Sequence, residues 1–262
     1  MRKLFIGLTL LYLLCCILLY AIQNKVLFYP HTYDNSYRYK SGVEHEIPLT
    51  DDIEMNAVLL HDSPGARSNK VILYFHGNKG NVRRGIYQSR VMREKDCDIF
   101  VVDYRGYGKT EGQLVNDKQM LADADAAYQY LSKLYKEENI YVIGYSLGSG
   151  MASYVASKNQ PSHLFLVAPF RSLTAMKDKW LWMFPDFLLK YRLDNHEHLK
   201  AVKCGVTIVH GTEDNVVPYS HSAYIKSSYP HVELITIDGE SHRGVIFDSQ
   251  LRKAIERVVR RS

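Results

Sequence analysis

The chain has 262 residues, 46% hydrophobic and 23% charged, an ordinary globular composition and enough for one well-buried domain plus an appendage. Its formal charge of +5 is spread along the sequence, with the densest cluster at Arg252, Lys253, Arg257, Arg260 and Arg261. No aromatic-basic interleaving or zinc spacing accompanies that cluster, so it reads as the solvated face of a final amphipathic helix, and no nucleic acid is expected as a partner.

The sequence opens on "MRKLFIGLTLLYLLCCILLYAIQNK". Arg2 and Lys3 precede an uncharged run from Leu4 to Ile22, close to the roughly 20 residues an α-helix needs to cross hydrocarbon. A cleaved signal peptide would have a shorter apolar region followed by small residues at an A-x-A-like site, which is not found here. Residues 1–24 are therefore expected to form an uncleaved transmembrane signal anchor, with one domain at 25–262. Cys15 and Cys16 follow leucines rather than the small residue a lipoprotein site would want. Positive charge before the helix and a large domain after it place the N-terminus in the cytoplasm and the domain on the extracytoplasmic side, the periplasm in a bacterium. Lys25 pulls weakly the other way.

After the anchor, "NKVLFYPH", "GVEHEIPLT" and "IEMNAVLL" read as short strands, with Ile53, Met55, Ala57 and Leu59 sharing one parity. "SPGARSNK" reads as a turn. The pattern then changes to continuous apolar runs: "VILYF" (71–75), "DIFVVDY" (98–104), "NIYVIGY" (139–145), "HLFLVAP" (163–169), "VTIVHG" (206–211) and "VELITID" (232–238). Runs of this kind are strands of a parallel sheet covered on both faces. Helical segments alternate with them, such as 117–135, where Met120, Leu121, Ala124, Ala127, Tyr128 and Leu131 recur at helical spacing behind Asp117 as N-cap. The fold class is α/β: a mostly parallel, doubly wound sheet with an antiparallel N-terminal edge. Cys97 and Cys204 both open apolar runs and read as buried structural thiols; two cysteines make neither a disulfide framework nor a metal site.

In such a sheet ligands bind at the carboxyl ends of the strands. Ser146 stands there, in "VIGYSLGSG", between Gly144 and Gly148. The G-x-S-x-G spacing is that of a nucleophile elbow, a strained strand-to-helix turn whose glycines clear the neighbouring strand and helix. A serine hydroxyl is a weak nucleophile until a base takes its proton. The acid and the histidine should follow in that order at other strand ends. Asp214 in "GTEDNVVP" and His242 in "GESHRG" occupy those places. His196, His198, His210, His221 and His231 lie in strands, helices or strand entries and read as packing or surface residues. Glu213 should point away from Asp214, and Asp238 and Glu240 read as turn residues. The oxyanion hole requires the N–H after the nucleophile, that of Leu147, and one from the "YFHGNKGN" loop, assigned to Asn78. That loop lacks the G-x-x-x-x-G-K-[ST] pattern of a phosphate cradle.

Six ordered motifs carry a family resemblance: "LYFHGNKGN" (73–81), "VVDYRGYGKTEG" (101–112), "GYSLGSG" (144–150), "APFRSL" (168–173), "IVHGTEDNVVP" (208–218) and "GESH" (239–242). The chain resembles the α/β-hydrolase-fold serine hydrolases over nearly all of 26–262. It looks most like the membrane-anchored group that includes the eukaryotic α/β-hydrolase-domain depalmitoylases and their bacterial relatives. The resemblance implies a cofactor-free Ser-His-Asp hydrolase of esters, thioesters or amides. Ser146, Asp214 and His242 fall on the triad, and Asn78 and Leu147 on the oxyanion positions. "DYRGYG", with Asp103, Arg105 and Tyr107, resembles a signature that pins the neighbouring loop. Lys79 stands where a small residue is usual, and Gly205 where proline is common, a departure expected to matter little.

The stretch 172–201, rich in Trp180, Trp182, Met183, Phe184, Phe187, Leu188 and Leu189, is long for a connection. It is either a helix packing its aromatics on the sheet or a cap over an acyl chain or against the bilayer. Together with the anchor it suggests an acyl ester or thioester substrate presented near a membrane, a lipid or a lipidated protein among the candidates. A peptidase or amidase of the same fold, and a non-catalytic binding protein on this scaffold, are the alternatives. Dehalogenase or epoxide-hydrolase chemistry would want a carboxylate at position 146.

Overall fold

Alternating apolar runs and amphipathic segments build a layered molecule, seen in a computed structural model that describes residues 1–50, 52–62 and 68–260. In chain order the elements are α1 (Arg2–Leu27), β1 (Tyr29–Pro30), β2 (Val43–Pro48), β3 (Glu54–Leu60), β4 (Lys70–Phe75), β5 (Lys79–Gly80), α2 (Val82–Gln88), β6 (Cys97–Val102) and α3 (Asp117–Ser132). There follow β7 (Ile140–Tyr145), α4 (Gly148–Lys158), β8 (His163–Val167), α5 (Leu173–Leu181), α6 (Asn195–Leu199), β9 (Gly205–Gly211), α7 (Ser220–Ser228), β10 (Glu233–Ile237) and α8 (Ser249–Val259). Residues 63–67, most of the turn expected before β4, lie outside the described residues.

One sheet of eight strands has the order β10-β9-β8-β7-β4-β6-β3-β2. The pairs β2–β3 and β3–β6 are antiparallel and all the others parallel. From β4 the chain crosses to β6 on one side and then to β7 on the other, so the strand order reverses between β4 and β7. The carboxyl ends of those two strands therefore flank the place where such sheets open a crevice. Register keeps the other ends level with them: Phe75 pairs with Gly144, Tyr145 with Val167, and Gly211 with Ile237.

Successive side chains on a strand point to opposite faces. Val71, Leu73 and Phe75 of β4 join Tyr128, Leu131, Met151 and Val155 from α3 and α4 in one core. Ile72 and Tyr74 join Val82, Leu251 and Ile255 from α2 and α8 in the other. In β3, Met55, Ala57 and Leu59 share one face as their parity implies and enter the first core, and the opposite face is buried too, with Val58 and Leu60 in the second.

Four details differ from the sequence reading. Helix α1 runs on to Leu27, and only Tyr29–Pro30 of "NKVLFYPH" is a strand, because Pro30 keeps the residue before it extended. The N-cap of α3 is Asn116, whose side chain accepts from Gln119 N at 2.9 Å, and Asp117 is the first helical residue. Cys97 is buried but Cys204 only half-buried; burial pushes their thiols up to about 12 and about 11. On α8, Arg252 and Lys253 are exposed, whereas Arg257 pairs with Glu233 (2.6 Å) and Arg260 with Glu256 (2.6 Å).

Helix α1 is long and apolar enough to cross a membrane, and most of its length is exposed. Its last turns are bound to the rest of the chain. Asn24 Nδ2 donates to Leu114 O (2.6 Å), Tyr191 OH donates to Asn24 Oδ1 (3.1 Å), and Phe28 meets the Tyr191 ring edge-on at 4.7 Å.

Candidate active site

The serine between the glycines has a left-handed backbone, φ +53°, which non-glycine residues rarely adopt. Both glycines are required by close approach. A Cβ at Gly144 would lie 2.5 Å from Gly148 O and 2.6 Å from Ala152 Cβ, and one at Gly148 only 2.0 Å from Phe75 O. The turn is thus pressed between the end of β4 and the start of α4. Ser146 N donates to Val167 O at 2.9 Å, tying the turn to β8.

The loops after β9 and β10 bring Asp214 and His242 to this serine. His242 Nε2 lies 3.0 Å from Ser146 Oγ, and His242 Nδ1 lies 2.6 Å from Asp214 Oδ2. A carboxylate against Nδ1 requires the hydrogen there, which leaves the Nε2 lone pair facing the hydroxyl. Asp214 Oδ1 accepts from Val216 N (2.9 Å) and Val217 N (2.7 Å). Burial alone would raise Asp214, but hydrogen bonds from His210, His242 and Val217 outweigh it and hold the carboxyl well below the usual range.

His210 is one of two residues here that the sequence reading passed over. It is fully buried in β9, with Nε2 3.1 Å from Asp214 Oδ2 and 2.9 Å from Val217 O, and Nδ1 2.6 Å from Ser222 Oγ. Both Nε2 neighbours are acceptors, so this nitrogen carries the hydrogen and donates to them. The other is Tyr145: its ring stacks on His242 at 5.3 Å, and its hydroxyl donates to His242 O at 2.8 Å. Neither left a sequence signal beyond a lone histidine in an apolar run and a free position in the motif. Glu213 is exposed, and Asp238 accepts from Thr212 Oγ1, as turn residues do.

Asn78 lines the same small cavity as Ser146 and His242, while Leu147 follows Ser146 directly as the N-cap residue of α4. Among the described residues neither backbone N–H has an acceptor. The Asn78 peptide is held from behind. Its carbonyl accepts from Tyr107 OH (2.8 Å) and Tyr29 N (3.2 Å), and its side chain donates to Leu27 O (3.0 Å). Tyr104 OH donates to His76 O at 2.6 Å, and buried Asp103 accepts from Val82 N at 2.6 Å. Arg105 grips Asp123 through two hydrogen bonds of 2.6 and 3.0 Å. The "DYRGYG" segment is therefore the clamp behind the "HGN" loop.

The cavity has a volume of about 110 Å³, and its rim holds Lys79, Arg84 and Arg243 but no carboxylate. All three are exposed, and none has an ion-pair partner among the described residues. Among those residues no three His, Cys, Asp or Glu side chains gather as metal ligands would. Gly205 does matter locally: a Cβ there would fall 2.7 Å from the His163 ring.

The sequence model of the alpha/beta hydrolase fold family matches residues 70–207, a span that takes in Asn78, Ser146 and Leu147 and stops short of Asp214 and His242. Alpha/beta hydrolase domain-containing protein 17C of Mus musculus is 26% identical over 215 residues, covering 79% of this chain and 64% of that protein. Its Homo sapiens counterpart is also 26% identical, over 79% and 63%. The chain thus matches just under two thirds of the length of these relatives. Among solved structures, an esterase of Pyrococcus furiosus superposes with a TM-score of 0.67 at 18% identity, over 90% of this chain and 97% of that one. Est1E of Butyrivibrio proteoclasticus with ferulic acid bound gives 0.64 at 22% identity, over 82% and 96%. At these identities the structural likeness speaks for the fold.

The packing of the turn generates one expectation. Gly148→Ala drives a methyl into Phe75 O, an overpacking that costs about 1–3 kcal/mol. We expect thermal unfolding about 2–10 °C lower and Ser146 labelled far more slowly by a fluorophosphonate probe. Labelling at the wild-type rate would show that the turn is not confined as described.

Proposed function

Because this chain belongs to the alpha/beta hydrolase family, we propose that it is a serine hydrolase cleaving carboxylic esters or thioesters of acyl groups at a membrane surface. The observation that carries this reading is the unbroken line Ser146 Oγ, His242, Asp214, with contacts of 3.0 and 2.6 Å, starting from a serine held in a left-handed turn.

The chemistry follows from those contacts. Ser146 Oγ attacks the acyl carbonyl carbon while His242 Nε2 takes its proton, and Asp214 stabilises the imidazolium. The oxyanion that forms accepts hydrogen bonds from Leu147 N–H and Asn78 N–H, which have no other acceptor among the described residues. His242 returns the proton to the departing alcohol or thiol as its bond to the acyl carbon breaks. Water then attacks the acyl-enzyme, giving its proton to His242, and release of the acid restores the Ser146 hydroxyl. His210 holds Asp214 but touches no reacting atom, so it is a positioning residue.

Replacing the nucleophile tests the scheme. In Ser146→Ala we expect fluorophosphonate labelling to vanish and hydrolysis of acyl esters to fall by about 10⁴-fold or more. Persistent labelling or turnover in that variant would sink it. A chain-length series of esters and thioesters then defines the acyl group.

The rim adds a preference for negative charge. Lys79, Arg84 and Arg243 with no opposing carboxylate favour a substrate that is anionic near the scissile bond. An ester with a sulfonated leaving group should have a kcat/KM about 3–10-fold above its trimethylammonium counterpart. The gap should close near 1 M salt, where the screening length is about 3 Å, and in the Lys79→Gln/Arg243→Gln variant. Equal rates for the two esters would remove the preference and leave the triad untouched.

The anchor places this chemistry. Arg2 and Lys3, in the first turn of α1 ahead of its uncharged run, favour an N-terminus in the cytoplasm and a domain on the extracytoplasmic face. Protease added to cells stripped of any outer membrane should digest the domain; a domain protected until the membrane bearing α1 is lysed reverses the assignment and puts lipidated cytoplasmic proteins among the substrates.

A further inference from the structure

In the stretch between α5 and α6, Tyr191 packs into the core, but Trp182 and Phe187 do not lie on the sheet. Trp182 is 74% exposed, Phe187 71% and Met183 55%, three large apolar side chains within six residues. The same stretch lies along α1. Tyr12 OH donates to Met183 O at 3.0 Å, and the Tyr12 ring stacks on Phe184 with centroids 5.7 Å apart and planes 8° from parallel. At the other end Gln23 Nε2 donates to Leu188 O (2.6 Å), and Lys190 N donates to Gln23 Oε1 (2.9 Å).

The two contact points give the depth. Tyr12 and Gln23 are separated on α1 by about 16 Å, at a rise of about 1.5 Å per residue. That is half of a hydrocarbon core about 30 Å thick, and Tyr12 stands near the middle of the uncharged run Leu4 to Ile22. If α1 spans the bilayer, Met183 and Phe184 cannot remain in water.

The polar groups of the stretch suit that placement. Irregular backbone is tolerated at membrane depth only when its polar groups are satisfied within the protein. The carbonyls of Met183, Phe184 and Leu188 are taken by Tyr12 OH, Lys177 Nζ and Gln23 Nε2. The N–H groups of Phe184, Leu188 and Leu189 donate to Leu181, Pro185 and Asp186. Lys177 is ion-paired with both Asp178 (2.8 Å) and Asp186 (2.6 Å), whose half-exposed carboxylates leave the cluster one net negative charge. Between the stretch and the helix runs an apolar groove of about 300 Å³, walled by Leu19, Val26, Met176, Leu181, Phe184 and Leu188.

We infer that Leu181–Leu188 is a second membrane element, inserted beside α1 into the leaflet on the domain's side, with Trp182, Met183 and Phe187 against lipid hydrocarbon. The exposed faces continue the apolar surface of α1, and the occupant to which the groove opens is the same hydrocarbon. This inference does not depend on the hydrolase chemistry.

The chain contains two tryptophans, so Trp180→Phe leaves Trp182 as the only indole reporter. The full-length variant is reconstituted in phosphatidylcholine vesicles, with and without lipids brominated along their acyl chains. We expect blue-shifted emission, quenched strongly by the brominated lipids and little by aqueous iodide. Quenching by iodide and not by bromolipid overturns the inference. So does protection from both, which would mean a second copy or another protein segment covers Trp182. Wild-type protein, with both tryptophans, must shift in the same direction, which guards against a folding defect in the variant.

Discussion

The left-handed turn at Ser146 is the constraint on which the rest of the site depends. A side-chain-bearing residue at φ +53° is unfavourable by about 1–3 kcal/mol and persists only where its surroundings over-determine it. Here they do so from three sides: Phe75 O leaves no room for a side chain at Gly148, the start of α4 leaves none at Gly144, and Val167 O holds Ser146 N. These contacts exist because β7 lies between β4 and β8 in parallel register. The same register ends β9 and β10 at the same edge, so that loops from two outer strands can reach one hydroxyl.

Electrostatics at that edge are graded. Asp214 is enclosed by donors, two backbone N–H groups and two imidazoles, and therefore stays ionised although burial opposes it. A buried carboxylate with that many donors is a fixed charge, and it sets the tautomer of His242. Outward from His242 the sign reverses: the rim carries Lys79, Arg84 and Arg243. Negative charge lies behind the serine and positive charge in front of it, which suits a reaction whose transient charge is an oxyanion.

What could be read in the sequence was what leaves a local mark. An elbow needs small residues two positions on either side of its serine, so Gly144, Ser146 and Gly148 announce it, and apolar runs announce buried parallel strands. Asp214 and His242 were legible by position, each in a loop just past a strand, and the structure brings Asp214 within hydrogen-bond reach of His242 and His242 within reach of Ser146. His210 and Tyr145 were not, since their roles come from partners met only in three dimensions; Tyr145 finds His242 O across 97 positions. The stretch holding Trp182 and Phe187 was ambiguous for a different reason. A side chain bound for lipid and one bound for a protein core have the same composition, and only exposure separates them.

Helix α1 is tied to the wall of the site through Asn78. Asn78 is held by Leu27 O at the last residue of the helix, by Tyr29 N just beyond it and by Tyr107 OH from the clamp. Two of the three contacts that orient this peptide thus come from the chain as it leaves α1. Asn24, one turn earlier, binds both Leu114 and Tyr191. A helix fixed at several points to the loop beside Ser146 cannot swing freely relative to it. Contacts with the stretch around Phe184 extend that bracing along the helix. The hydrogen bonds that hold Asn78 thus also fix how the chain leaves α1 relative to the strand ends on which Ser146 sits.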